Sequence, residues 1–362
     1  MRVTVAFALA MTVSVVALSA VWAQNAPLRE AETATAPTAI IAPEAGSAPA
    51  AEPAQITRTQ AAAPPAPAPI TRAQPTPSPA PGQMAVAPAN CSNPNGLGVS
   101  RTVEIDTTGG PGFGFEHFKQ HDFLREGEVV LTFDDGPWPG TTHAVLKALA
   151  EYCVKAIFFP IGMHAMWEPS ILKQVAAAGH TIGSHTWSHQ DLSRTRGRMP
   201  VGNGKFEVKD FDPKEEIEKG ISAVNMALGG GFEAPFFRFP ALRHPPELVK
   251  YLGERNIAMF STDMDTFDFK MRKPEQVIAS VMGKLKKHGK GIVLLHDFQH
   301  ATSLAIPEIL AQLKANGYKI VHMKAKNPVT ALAQYDELVL KEQKLPTLSQ
   351  QPTSSVVRTI SE

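Results

Sequence analysis

From Glu128 onward, short apolar segments alternate regularly with longer segments in which apolar residues recur at helical spacing. The apolar segments predict strands at residues 128–133, 156–160, 181–184, 236–239, 257–261, 292–295 and 319–322. The segments between them predict helices at residues 141–152, 169–178, 213–228, 245–256, 274–288 and 303–316. Strands that alternate with helices in this way indicate an α/β fold with a parallel sheet, which is either open or closed into a barrel.

The chain before residue 128 has a different character. Residues 1–23 carry one charge, Arg2, and then an apolar run that ends in small residues, which predicts a cleaved signal peptide and an exported, periplasmic or secreted protein. The alternative is a membrane anchor, because residues 3–23 are nearly long enough to span a bilayer. Residues 24–90 hold 14 of the 31 prolines and few large apolar side chains, so they predict a disordered Pro/Ala-rich linker.

Composition narrows the class of partner. The chain has 35 Lys and Arg against 34 Asp and Glu, and this balance gives no basic excess for nucleic acid. Its two cysteines, Cys91 and Cys153, either form a disulfide in an oxidising compartment or remain free buried thiols. The predicted organisation is a lead-in at 91–127, a catalytic domain at 128–335 and a polar, frayed tail at 336–362.

Reactive side chains fall at or just after the ends of the predicted strands: Asp134, Asp135, His185, Arg238, Asp265, Asp268 and His296. In a closed parallel barrel, the carboxyl ends of all strands face one mouth, so residues far apart in sequence converge there. An open sheet would bring together only the residues near a switch point. The positions of these residues therefore favour the barrel.

His185 begins the segment His185-Thr186-Trp187-Ser188-His189, which places two imidazoles four residues apart. Two histidines and a carboxylate form a three-ligand site for a metal such as zinc and leave a coordination position open. With Asp135 as the third ligand, Asp134 is free to act as a base on water. Arg238 can pair with Asp134 and hold it ionised and in place.

His296 ends the apolar run from Gly291 to Leu295 and faces the same mouth. A carboxylate from the segment Asp265–Asp268 can hold it protonated as a general acid. The alternatives are an ordinary core or rim position for the histidine, and turn or helix-cap positions for the two acids.

Five motifs together resemble those of the NodB-like polysaccharide deacetylases, carbohydrate esterase family four, over residues 128–325. They are Thr132-Phe133-Asp134-Asp135-Gly136, His185 to His189, Arg238-Phe239-Pro240, Asp265-Thr266-Phe267-Asp268-Phe269 and Leu294-Leu295-His296. The resemblance implies a deformed (β/α) barrel and metal-dependent removal of acetyl groups from sugars. The roles that it implies are Asp134 as base, Asp135, His185 and His189 as ligands, Arg238 as tether, His296 as acid, Asp265 as its tuning carboxylate, and Leu294 in the acetyl pocket.

The chain departs from this family pattern at two positions predicted to contact substrate. Ala241 stands where the third motif usually has an aromatic residue, although its backbone N–H can still contact an oxyanion. Phe269 stands where the fourth motif usually ends in tryptophan. The segment Ser193–Phe211, rich in glycine and basic residues, follows the second motif as either a substrate wall or lid, or a surface insertion.

The sequence therefore predicts an exported, zinc-dependent hydrolase that removes N-acetyl groups from N-acetylglucosamine residues of a cell-wall or extracellular glycan. Two alternatives remain at this point: an O-acetyl esterase acting on xylan or another acetylated polysaccharide, and a catalytically silent glycan-binding module. The expected partner is an N-acetylated polysaccharide, with no nucleic acid, and with a membrane tether only if residues 3–23 stay uncleaved.

Overall fold

The structure is a computed structural model that describes residues 93–343 apart from 203–204 and 232. The predicted signal peptide and linker lie outside the described residues. Cys91 lies outside them as well, so its pairing with Cys153 stays a prediction. No helix within residues 93–343 combines the length and the apolar character needed to cross a membrane.

The elements follow one another in a strand–helix alternation. The strands are β1 (Arg101–Ile105), β2 (Gly112–Phe113), β3 (Glu128–Asp134), β4 (Ile157–Phe159), β5 (Thr181–Ile182), β6 (Arg196–Gly202), β7 (Lys205–Asp210), β8 (Phe236–Arg238), β9 (Ala258–Phe260), β10 (Met264–Asp265), β11 (Gly291–His296) and β12 (Lys319–Ala325). The helices are α1 (Thr141–Glu151), α2 (Gly162–Trp167), α3 (Pro169–Ala177), α4 (Pro213–Leu228), α5 (Pro246–Glu254), α6 (Pro274–His288), α7 (His300–Ala315) and α8 (Ala333–Gln343). Two single 3₁₀ turns, Pro240–Leu242 and Asp268–Lys270, follow β8 and β10.

The strands form a deformed parallel barrel, as the sequence predicts. Strand β3 pairs with β11 along one edge, and with β12 and then β4 along the other. Strand β4 continues the sheet to β5, while β10 pairs with β11 on the far side. Strands β8 and β9 pair in parallel, with β2 beside β9 and β1 beside β12. The barrel order is therefore β10, β11, β3, β4, β5, β8 and β9.

The barrel closes between β5 and β8 through a junction that we call the β5–β8 seam. A single parallel bridge joins Ser184 to Phe237. The Ser184 N–H donates to the Phe236 carbonyl at 2.9 Å, and the Arg238 N–H donates to the Ser184 carbonyl at 3.1 Å. The backbones approach so closely that a Cβ added to Gly183 would lie 2.5 Å from the Phe236 carbonyl oxygen. Glycine is therefore required at this position.

Alternation along β3 sets the direction of the reactive side chains. Val129, Leu131 and Phe133 belong to the core between the sheet and the outer helices, whereas Val130 belongs to a second core inside the barrel. Because successive side chains point to opposite faces, Asp134 lies on the inner face with Val130. Strand β11 repeats the pattern, and its register places His296 opposite Asp134.

The seven predicted strands and six predicted helices are all present, and most of the bounds agree to within two residues. The sequence did not predict β1, β2, β10 or α2, because elements of two to six residues carry too little periodicity to detect. The segment Ser193–Phe211 is a hairpin, in which β6 pairs antiparallel with β7. The hairpin lies against the second motif, since Gln190 Nε2 donates to the Arg198 carbonyl at 3.1 Å.

The C-terminal part of the chain differs from the frayed tail expected from residue 336. Helix α8 continues to Gln343 and packs on α4. Val339 is fully buried against Trp187 and Ala223, and Lys219 Nζ lies 2.6 Å from Glu342 Oε1. The helix has a polar sequence, and these tertiary contacts rather than its own periodicity stabilise it.

Glu233 is a buried carboxyl group whose two oxygens have no hydrogen-bond partner among the described residues. Burial, and then the charge of Glu218, raise its pKa well above the usual value. Because the unfolded chain loses this proton at a lower pH than the folded protein, stability should fall as the pH rises between the two pKa values.

Glu233→Gln keeps the shape of the protonated acid and removes the titration. We expect the variant and the parent to unfold with equal free energy near about pH 4, and the variant to be more stable by about 1 kcal/mol or more near pH 8. Urea denaturation across this range measures the difference, with exposed Glu247→Gln as the control. A difference that is constant with pH would show that Glu233 is not the group that titrates.

Candidate active site

Asp134 and Asp135 lie at the carboxyl end of β3, where the strand stops before Gly136 and Pro137. Asp134 ends the strand and points into the barrel. Asp135 has a positive φ of 72°, which turns the backbone so that its side chain faces the barrel mouth beside that of Asp134. Both carboxylates are buried. Burying adjacent acids is costly unless each meets a positive group, so their partners determine what the site can do.

Asp135, His185 and His189 bring three potential ligand atoms within 4.8 Å of one another. The Nε2 atoms of both histidines lie 3.4 Å from Asp135 Oδ1. That oxygen is buried and has no hydrogen-bond partner in the described part of the chain. An unpaired buried carboxylate oxygen between two imidazole nitrogens is the arrangement expected around a cation.

The protonation of His185 supports the same interpretation. Its Nδ1 lies 2.7 Å from the Arg238 carbonyl oxygen, which can only accept, so Nδ1 carries the proton. Burial lowers the pKa of His185 to about 4, so the ring is neutral and the Nε2 lone pair faces Asp135. A lone pair and a carboxylate oxygen repel each other unless a cation lies between them. The carboxylate and the two imidazoles therefore fit a divalent metal such as zinc.

Asp134 is held by Arg238, which is fully buried at the end of β8. Arg238 Nη1 donates to Asp134 Oδ1 at 2.8 Å and to Thr132 Oγ1 at 2.6 Å. Its Nη2 donates to the Ser261 carbonyl at 2.8 Å. The predicted pairing of Asp134 with Arg238 is therefore present, and the guanidinium group is fixed by three elements of the barrel.

His296 contacts Asp268, not Asp265 as the family resemblance implied. Its Nδ1 lies 2.6 Å from Asp268 Oδ1, and its backbone N–H donates to Asp268 Oδ2 at 2.8 Å. Burial opposes the charged form of His296, but the charge and hydrogen bond of Asp268 raise its pKa to about 10. The Nε2 of His296 lies 3.8 Å from Asp135 Oδ2, so this protonated ring faces the candidate metal site.

Asp265 has a different role in the structure. Its Oδ1 accepts a hydrogen bond from the Phe267 N–H at 2.8 Å, which closes a local turn. Phe267 has a φ of 55° and reverses the chain, so that Asp268 is directed at His296. The correction from Asp265 to Asp268 therefore comes from the backbone path between the two acids.

The predicted substrate-contacting residues surround this centre. Phe269 is 46% exposed, and its ring lies 5.5 Å from that of His296 in an edge-to-face arrangement. Leu294 is buried on β11, two residues before His296 and on the same face of the strand. Ala241 is exposed in the turn after β8 with a φ of 53°. All three lie near the barrel mouth, and their contacts with substrate remain a prediction.

Backbone strain is concentrated in the same motifs. Eight non-glycine residues in the described chain have positive φ, and the following lie in or next to the motifs: Asp135, Thr186, His189, Ala241, Leu242 and Phe267. Such conformations are costly for residues with a Cβ and persist where the surrounding structure enforces them. The loops of the mouth are therefore held in place before any ligand binds.

Two groups at the site, the half-buried His164 and the buried Asp297, were not predicted from the sequence. His164 Nδ1 donates to the Asp135 carbonyl at 2.6 Å. Asp297 accepts hydrogen bonds from the Gly136 N–H at 3.1 Å and Thr142 Oγ1 at 2.5 Å, and burial raises its pKa to about 7. Asp297 directly follows His296, and that adjacency could have drawn attention to it. His164 has no comparable signal in the sequence.

Comparison with known proteins gives a family match over the region that carries the first three motifs. Residues 123–260 match a sequence model described as polysaccharide deacetylase. A peptidoglycan-N-acetylglucosamine deacetylase of Bacillus cereus is 32% identical over 198 residues, covering 53% of this chain and 84% of that protein. A chitooligosaccharide deacetylase of Azorhizobium caulinodans is 30% identical over 177 residues, covering 48% of this chain and 75% of that protein.

The fold is also similar to that of a solved protein. A peptidoglycan deacetylase of Bdellovibrio bacteriovorus matches with a TM-score of 0.52 and 30% identity, covering 68% of this chain. This chain spans 63% of the length of that structure. The similarity therefore extends beyond the short motifs to the arrangement of the barrel.

Proposed function

Because this chain belongs to the polysaccharide deacetylase family, we propose that it is a metal-dependent hydrolase that removes N-acetyl groups from N-acetylglucosamine residues of a cell-wall or extracellular glycan. The observation that carries the proposal is the placement of two differently paired acid–base groups around one three-ligand site. Asp134 is tied to Arg238, and His296 is tied to Asp268, with Asp135, His185 and His189 between them. Such a pair of opposed groups is what amide hydrolysis requires.

Asp135, His185 and His189 would hold a divalent cation, for which this donor set favours zinc, and the bound cation would supply polarisation of the acetyl carbonyl and of the attacking water. Asp134 accepts a proton from that water as its oxygen adds to the carbonyl carbon. Arg238 holds the carboxylate of Asp134 in position through the hydrogen bond from its Nη1. The backbone N–H of Ala241 lies in the strained turn after β8 and is assigned to the oxyanion.

His296 completes the reaction as the acid. The bond between the carbonyl carbon and the amide nitrogen breaks, and His296 Nε2 gives its proton to the leaving amine. The products are acetate and a free amino sugar, so the proton taken by Asp134 balances the proton given by His296. Leu294 and Phe269 are assigned to the walls around the acetyl group and the sugar.

Asp268→Asn is expected to lower kcat by about tenfold to a hundredfold, because His296 then loses the negative partner that keeps it protonated. Asp265→Asn changes the neighbouring acid in the same motif and should lower kcat by less than about threefold. Initial rates of acetate release measure both. Equal losses in the two variants would contradict the pairing of Asp268 with His296.

The N-terminal segments are the basis for proposing where the protein acts. We assign residues 1–23 to an export signal and residues 24–90 to a linker that separates the catalytic domain from the membrane or the wall. The relative named for peptidoglycan supports a cell-wall glycan as the substrate, and the relative named for chitooligosaccharides supports an N-acetylglucosamine chain. A membrane tether is part of the proposal only for a chain in which residues 3–23 remain uncleaved.

The test is acetate release by the full-length protein, stripped of metal and then reloaded with zinc. The substrates are N-acetylglucosamine oligomers, peptidoglycan and acetylated xylan. Zinc-restored release from an amino-sugar substrate is the expected result. Release from xylan alone would replace the proposal with an O-acetyl esterase, and zinc binding without release from any substrate would indicate a glycan-binding module.

His185→Ala tests the metal assignment separately. We expect its zinc content, measured by elemental analysis, to fall to background and acetate release to be lost with it. His143→Ala, which removes an exposed histidine of α1, is the matched control and should retain both. Full zinc content in His185→Ala would contradict the ligand assignment.

A further inference from the structure

The exposed aromatic side chains of the described residues are all placed after the carboxyl ends of strands. They are Phe115 after β2, Trp138 after β3, Trp167 after β4, and Phe267 and Phe269 after β10. In a parallel barrel these ends surround one mouth. Large apolar surfaces in water are costly when they have no partner, so their restriction to the mouth indicates that a ligand covers them.

Trp138 and Trp167 form a cluster with His164 that the proposed chemistry does not use. The His164 ring lies 5.3 Å from that of Trp138 and 5.1 Å from that of Trp167. The two tryptophans are 42% and 51% exposed, whereas His164 is half-buried between them. The cluster therefore presents two indole surfaces to solvent on a common imidazole support.

The cluster is fixed to the candidate metal site by hydrogen bonds. His164 Nδ1 donates to the carbonyl of Asp135 at 2.6 Å. At the start of α2, the Gly162 N–H donates to the Thr186 carbonyl at 2.8 Å, and the Met163 N–H donates to the Trp187 carbonyl at 2.9 Å.

Trp138 is fixed independently. Its backbone N–H donates to Thr142 Oγ1 at 2.7 Å, and that hydroxyl donates to Asp297 Oδ2 at 2.5 Å. Both tryptophans are thus positioned by the loops that carry the ligands. A rigid aromatic surface loses little conformational freedom on binding, which favours its use for recognition.

The strand order places this cluster across the site from the phenylalanines. Along the barrel wall the order is β10, β11, β3, β4. Phe267 and Phe269 follow β10, whereas Trp167 follows β4, so β3 and its two aspartates lie between them. A glycan chain with one sugar at the metal can therefore reach aromatic surfaces on both sides.

We propose that Trp138, His164 and Trp167 form a sugar-binding subsite that holds the pyranose ring next to the one being deacetylated. This inference rests on the proposed function and deepens it, because it names the residues that bind the neighbouring sugar of the glycan. The C–H face of a pyranose is apolar and packs on an indole ring, and the indole N–H can donate to a sugar hydroxyl.

The test compares acetate release from N-acetylglucosamine with release from its tetramer. For Trp167→Ala and Trp138→Ala, we expect KM for the tetramer to rise about tenfold, because each variant loses one exposed aromatic surface that the bound sugar would cover. Both substitutions should change KM more than kcat, and Trp167→Phe should restore most of the parent KM for the tetramer. Leu340→Ala removes an exposed apolar side chain of α8 and should leave KM for the tetramer as it is.

Binding without turnover separates this inference from the proposed function. In Asp134→Asn, the intrinsic fluorescence of Trp138 and Trp167 should change when the tetramer binds, and the affinity should fall about tenfold when Trp167→Ala is added. If the wild type releases acetate but the tryptophan variants keep the parent KM and affinity, the subsite is wrong and the proposed function stands. If no substrate releases acetate, the proposed function fails, and the binding measurement alone decides the subsite.

The alternative to a sugar on this surface is a second copy of the chain. Sedimentation velocity of the wild type over a range of concentrations measures self-association. Self-association that Trp167→Ala abolishes, without any effect on the affinity for the tetramer, would overturn the subsite in favour of a protein interface.

Discussion

Asp134→Asn is expected to lower the rate of acetate release by about a hundredfold to ten-thousandfold, the range that a general base contributes. Asparagine has nearly the same shape as aspartate and can still accept the hydrogen bond from Arg238 Nη1, now 2.8 Å from Asp134 Oδ1. The amide cannot accept a proton from water. Since Asp134 is not among the three proposed ligands, zinc content should stay at the parent value.

The measurement is kcat on an N-acetylglucosamine oligomer together with zinc by elemental analysis. Asp265→Asn is the matched control, because it also replaces an acid at the mouth but leaves the contact of His296 with Asp268 unchanged. An Asp134→Asn variant with parent kcat would remove Asp134 from the mechanism. A variant that loses zinc would instead move Asp134 into the ligand set.

Arg238→Met is expected to lower the free energy of unfolding of the metal-free protein by about 3–5 kcal/mol, the usual cost of removing one member of a buried ion pair. Arg238 is fully buried and donates to Asp134, Thr132 and the Ser261 carbonyl. Methionine fills part of the space but leaves the carboxylate of Asp134 without its cation. Urea denaturation measures the loss.

The double variant Arg238→Met with Asp134→Asn separates the stability cost of the unpaired charge from the cost of lost packing. We expect it to recover about half of the lost stability or more, because the amide can be buried without a cation at a lower cost. It should recover no activity. The contrary result would be that Asp134→Asn lowers the free energy of unfolding of Arg238→Met by the same amount as it lowers that of the parent. In that case the two positions do not interact, and the ion pair does not stabilise the site.

The sequence predicts the barrel because each long strand and helix has its own apolar pattern, and because the alternation repeats along the whole domain. The apolar residues of β3 and β11 belong to both cores, so each strand is recognisable by composition alone. The placement of Asp134, His185, Arg238 and His296 at strand ends then favoured a closed barrel over an open sheet. The structure confirms this placement, and the distances among these side chains follow from it.

The choice between Asp265 and Asp268 was beyond the reach of the sequence. Asp265 ends the two-residue strand β10 and Asp268 follows it closely, and either position allows contact with His296. The positive φ of Phe267 decides the outcome, and phenylalanine is not a residue that predicts such a conformation. Helix α8 escaped prediction for a related reason, since Val339 and Lys219 stabilise it through contacts that are distant in sequence.

The β5–β8 seam has a thermodynamic consequence for metal loading. It is closed by backbone hydrogen bonds of Ser184 and Arg238, and Ser184 directly precedes the proposed ligand His185. Since His185 also donates to the Arg238 carbonyl, a cation that binds the closed barrel more tightly than the opened one must stabilise the seam by linkage. Chelation should therefore accelerate hydrogen exchange at the Ser184 and Arg238 amides while the amides shared by β3 and β11 remain protected.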